Sequence, residues 1–159
     1  MIRGNRASLS VYSDTKTTVE ISELLGIEPD HWGDKGDPTP AGRAGRNFAQ
    51  ERLTYQRTYW SITESSDNQD SDDQTGFSAL RALVVRLESR AHALGELRQG
   101  GETVLWWSGD SDSMQGGFVL EADLIRDLGR LGCSVYGTAY LSEVEAEGTM
   151  SDDPAEEDR

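Results

Sequence analysis

The chain has 159 residues, 35% hydrophobic and 28% charged, with 29 acidic against 15 basic side chains and a formal net charge of −14. That length suits one domain around one core. No apolar run reaches the ~18–20 residues of a bilayer span, and no apolar stretch follows the charges near Met1, so neither a membrane span nor a signal peptide is expected.

A single cysteine, Cys133, leaves no internal disulfide and points to a reducing, cytoplasmic setting. The charge is concentrated in two places. Residues 143–159 hold eight acids and one base, and residues 64–73 hold five acids and no base. Such segments bury too little apolar surface to offset their ordering entropy. Residues 143–159 are therefore expected as a disordered tail behind a single domain of residues 1–142, and residues 64–73 as a solvated loop. The sharper alternative for the tail is docking on a basic partner. The overall sign argues against nucleic acid, because phosphate binding needs concentrated Lys and Arg.

Ala7, Leu9 and Val11 alternate and predict a strand. Thr17-Thr18-Val19-Glu20 matches a capping box, Ile21, Leu24 and Leu25 follow at helical spacing, and Gly26 supplies the stop. Residues 27–46 hold three of the four prolines and read as a long loop. Residues 53–62 alternate and predict a strand. Phe77, Leu80, Leu83, Val84, Leu87, Ala91, Leu94 and Leu97 predict one core-facing helix of about six turns. Residues 103–107 and 117–120 predict two strands of a hairpin. Leu124, Ile125, Leu128 and Leu131 predict a helix ending at Gly132, and residues 133–141 alternate as a last strand.

The expected order is β-α-β-α-β-β-α-β. It defines an α+β domain with a mostly antiparallel sheet of about five strands and three helices, the last six elements in ferredoxin-like order.

Short motifs in fixed order also carry a family resemblance. They are Ala7–Tyr12, Leu24-Leu25-Gly26-Ile27-Glu28-Pro29, Lys35-Gly36-Asp37-Pro38, Tyr59-Trp60-Ser61-Ile62 and Gly116-Gly117-Phe118. On these the chain resembles the bacterial domain of unknown function 4279 family over most of residues 6–141. The resemblance implies a small single-domain protein. It implies no activity, cofactor or catalytic residue. By analogy, some small bacterial domains of this size neutralise toxins as immunity proteins.

Chemical motifs are sparse. His31, His92 and Cys133 have no metal-ligand spacing, and Gly-x-Ser-x-Gly is missing. Asp110-Ser111-Asp112-Ser113 starts like a calcium loop, but Met114 falls at position five and no glycine stands at six. No catalytic, metal or cofactor site is expected. The most unusual stretch is the Gly/Pro segment with Trp32, Lys35, Asp37, Arg43 and Arg46, near Arg52, Tyr55 and Tyr59. Cations interleaved with aromatics suit stacking and phosphate pairing, or equally an ordinary surface paired with Asp34, Asp37 and Glu51. Trp106 and Trp107 must point to opposite sheet faces, one inward and one outward, and Trp107 is counted with the binding residues.

The reading is a non-catalytic binding protein whose partner is another protein, toxin-immunity proteins being one example. The alternative is a domain binding a small anionic ligand, a nucleotide or phosphorylated metabolite, through residues 32–46, with Trp32, Lys35, Asp37, Arg43, Arg46 and Tyr59 as its contacts.

Overall fold

The computed structural model describes residues 2–67, 75–111 and 118–141. The sheet is built on β1 (Ile2–Ser13), which lies antiparallel between β3 (Thr58–Asp67) and β4 (Gly101–Ser111). The short β2 (His31–Gly33) adds antiparallel to β3, and β5 (Ser134–Leu141) adds parallel to β4. The order is β2-β3-β1-β4-β5, a five-stranded mixed sheet.

Register puts Ala7, Leu9 and Val11 beside Trp107, Leu105 and Thr103 on one side, and Val11 and Leu9 beside Trp60 and Ile62 on the other. These positions form one apolar face. It is covered by α1 (Thr18–Leu25), α4 (Ser78–Leu87), α5 (Ala91–Leu97) and α6 (Ala122–Leu131). Ile21, Leu25, Leu80, Leu83, Leu87, Leu94, Leu124 and Leu131 seal the core from the helix side. The opposite face carries Tyr12, Tyr59, Trp106 and Tyr136, the last two stacked at 4.9 Å between ring centroids.

The α+β class holds, with several corrections. The sheet is mixed because α6 carries the chain from β4 over to a parallel β5, the usual outcome of a helical crossover. The expected loop of residues 27–46 contains β2 and α2 (Pro40–Arg43), and the strand expected over 53–62 begins only at Thr58, with Leu53 closing α3 (Gln50–Leu53). The long helix is divided by a 3-10 turn, Glu88–Arg90, into α4 and α5. Three residues of 3-10 rotate the later side chains by about 60° relative to α-helix, which re-aims α5 without disturbing the spacing of its leucines.

Residues 64–67 of the acidic stretch are strand, because β1 pairs with them from Ala7↔Glu64 to Gly4↔Asp67 and Arg86 holds Glu64 at 2.8 Å. The expected strand at residues 117–120 is irregular over 118–120, and among the described residues no strand lies between β4 and α6, where the ferredoxin-like order needs one. Residues 68–73, 112–117 and the expected tail lie outside the described residues, as do Asp112 and Met114 of the calcium-like loop.

Candidate functional site

The residues singled out in the sequence fall into one neighbourhood and its surroundings. Between β2 and β3 the chain makes an excursion closed on itself by hydrogen bonds. Gly36 N–H donates to Tyr55 O at 2.8 Å and Tyr55 N–H to Asp37 O at 2.9 Å. Thr39 N–H donates to Leu53 O at 2.9 Å, and the Thr39 hydroxyl to Arg52 O at 2.8 Å. Pro38 and Thr54 form an isolated bridge. The base is anchored to α1, where Asp34 Oδ1 accepts from Thr18 N–H at 2.7 Å.

Two glycines make the closure possible. A Cβ on Gly42 would meet Leu53 O at 2.1 Å, and one on Gly33 would meet the Tyr55 ring at 2.1 Å.

The excursion walls a cleft of about 480 Å³ at the β2 edge. Trp32, Asp37, Arg43 and Tyr59 line it, together with His31 and Tyr55. Tyr55 lies nearly parallel to Tyr59, with centroids 6.1 Å apart and planes at 11°. Tyr12 continues the row 5.4 Å from Tyr59. Burial, and then the neighbouring Tyr59, push the Tyr12 phenol up from 10.0, so it carries no charge at neutral pH.

Trp32 is 57% exposed on the rim. The carboxylates of the cleft serve the backbone: Asp30 Oδ2 accepts from Thr63 N–H at 2.7 Å and Asp37 Oδ2 from Asp34 N–H at 3.1 Å. Arg43 donates through Nη1 to Pro38 O at 2.9 Å. Lys35 and Arg46 are exposed on the excursion but do not line the cleft.

Trp107 sits elsewhere. It is the inward member of its pair, 4% exposed, with its indole N–H donating to Gly76 O at 3.1 Å. The outward position falls to Trp106, 43% exposed.

Trp107 does form the floor of a second feature, an apolar groove of about 510 Å³ between α6 and β5. Phe118, Leu120, Ile125, Val135 and Ala139 line its walls. Ile125 and Val135 are 53% and 42% exposed. All eight residues of β5 are exposed, and its outer edge is unpaired among the described residues. Sequence reasoning missed this groove because Ile125 and Val135 share their apolar pattern with core residues. The available signal was the strand Ser-Val-Tyr-Gly-Thr-Ala-Tyr-Leu, which lacks both charge and proline.

These features define an α+β protein with a one-sided sheet, helices on its apolar face, a cleft at the β2 edge and an apolar groove at the β5 edge. The chain belongs to the domain of unknown function 4279 family (DUF4279), whose model matches residues 3–141. No curated protein and no solved structure matches the chain.

Proposed function

We propose that the chain is a protein-binding domain without chemistry of its own, receiving its partner at the β5 edge and the groove beside it. One observation carries the reading: an eight-residue edge strand with no charge and no proline, next to an exposed apolar groove. Natural sheet edges are normally blunted by charge, proline or bulges, so an unblunted edge is suited to adding a strand. Contiguous apolar surface rimmed by polar residues is likewise a mark of interaction sites.

The partner class follows from the chemistry. An extended segment would pair with β5 and place alternate apolar side chains in the groove. Basic flanks on that segment would complement a net charge of −14 and steer the encounter. Toxin neutralisation would be one instance, with the toxin as partner.

The test is affinity capture from lysate of the source organism, comparing the full chain with a full-length variant carrying Ile125→Lys and Val135→Lys. Both positions are exposed, so the substitutions should leave folding within about 0.5 kcal/mol per site. A stoichiometric partner held by the native chain and lost by the variant is the expected result. A partner retained by the variant, or turnover that depends on one polar residue of the domain, would overturn the reading.

A further inference from the structure

We propose that the cleft beside β2 binds a small planar molecule carrying one anionic group, carboxylate or phosphate. Its ring would pack on the Tyr55–Tyr59 wall and its anion on Arg43. This site is at the opposite sheet edge from the β5 groove and stands independently of it.

The charge pattern is the first support. Elsewhere, several basic side chains are ion-paired: Lys16 with Glu96 at 3.3 Å, Arg57 with Asp14 at 3.0 Å, Arg86 with Glu64 at 2.8 Å and Arg130 with Asp127 at 3.0 Å. On the excursion, Lys35, Arg43 and Arg46 have no ion-pair partner among the described residues. The nearby carboxylates that could neutralise them, Asp34 and Asp37, accept from backbone N–H groups instead. Arg43 thus lines the cleft with no carboxylate in ion-pair contact among the described residues.

The fixed geometry is the second support. Arg43 is tethered through one Nη1 donor to Pro38 O, leaving its other N–H donors for a bidentate anion. Tyr55 is held over Gly33 and against Tyr59. The walls are joined by the backbone bonds that close the excursion, so little ordering remains for a ligand to impose. The volume, about 480 Å³, lies within the range of small-molecule sites.

The third support is which groups are free to meet a ligand's charge. Asp30 and Asp37 also line the cleft, but each has an oxygen engaged by a backbone N–H, whereas Arg43 keeps unengaged N–H donors. A nucleic-acid strand is disfavoured by the charge of the whole chain, whereas a single anionic group meets only the local field.

The experiment titrates the full chain with four probes, followed by the indole and backbone NMR signals of Trp32 and Gly33. Adenosine monophosphate supplies ring and phosphate, and indole-3-acetate supplies ring and carboxylate. Adenosine supplies the ring alone, and inorganic phosphate the anion alone. At least one ring-bearing anion should saturate, at least about tenfold tighter than adenosine and phosphate; which one does so identifies the anion. Arg43→Gln should weaken that probe about tenfold to a hundredfold, toward the level of adenosine, and leave adenosine unchanged. Arg43→Lys should recover part of the loss. Lys35→Ala with Arg46→Ala should stay within about threefold of native, since neither residue lines the cleft. Absence of saturation by both ring-bearing anions at millimolar concentration would overturn the proposal. So would an Arg43→Gln variant that unfolds at the native temperature but binds as the native chain does, or a loss in the Lys35/Arg46 variant equal to that in Arg43→Gln.

Discussion

Gly33 shows how one missing methyl group shapes a surface. It pairs with Tyr59 on β3, and Tyr55 returns from the excursion to lie over it. With a Cβ at 2.1 Å from the ring, Tyr55 could not keep both that position and its stack on Tyr59. Gly33→Ala is therefore expected to destabilise the domain by about 1–3 kcal/mol, the usual range for overpacking a filled site. Urea unfolding measures the loss. Limited proteolysis should then cut within residues 34–54 faster than in the native chain, because the closure of the excursion passes through Tyr55. An unchanged midpoint with unchanged cleavage would mean that Tyr55 is not held by this contact.

At the scale of elements, α1 is stabilised at its first turn by a reciprocal cap. Thr17 Oγ1 accepts from Glu20 N–H at 3.4 Å, and Glu20 Oε2 accepts from Thr17 N–H at 2.7 Å. Thr17→Ala should cost about 1 kcal/mol at neutral pH. Glu20 adds a pH-dependent part. The backbone N–H of Thr17, and then its hydroxyl, lower the Glu20 carboxyl below its ordinary 4.5. A carboxyl lowered in the folded state stabilises fully above its unfolded value and loses that contribution as the pH falls through the folded value. Glu20→Gln should thus be less stable than native at pH 7, and the gap should close progressively below pH 4.5. A gap independent of pH would remove the carboxylate from the account.

The elements that could be read from sequence are those whose signals are local. The cap of α1 and the left-handed glycines Gly26 and Gly132 that end α1 and α6 specify their helices without reference to the rest of the chain. What escaped depends on partners distant in sequence. β2 has three residues and α2 and α3 four each, too short for any period to register. Residues 64–67 look like acidic loop until β1 supplies a strand beside them. Within the cleft, Trp32, Asp37, Arg43 and Tyr59 stood out as an anomaly of composition. His31 and Asp30 acquire their place only when β2 pairs with β3.

Over the whole molecule, the sheet is asymmetric in how well its strands are held. β1 is bonded on both sides along nearly its full length and buries Ala7, Leu9 and Val11 completely. Among the described residues β5 is bonded on one side only, and its Val135 and Ala139 sit at the open groove. Opening free energies within one domain range from near zero at loosely packed edges to the global value at the core. Native-state hydrogen exchange should therefore find β1 amides exchanging only with global unfolding, those of β4 facing β1 close behind, and those of β5 exchanging through local opening at least about a hundredfold faster. A partner seated on the β5 edge would supply the missing neighbour. Its addition should slow β5 selectively, leaving β1 unchanged apart from the mass-action gain common to every amide that opens globally. Equal protection of β1 and β5 in the free protein would show that the edge is already covered, and the groove would then belong to the core rather than to recognition.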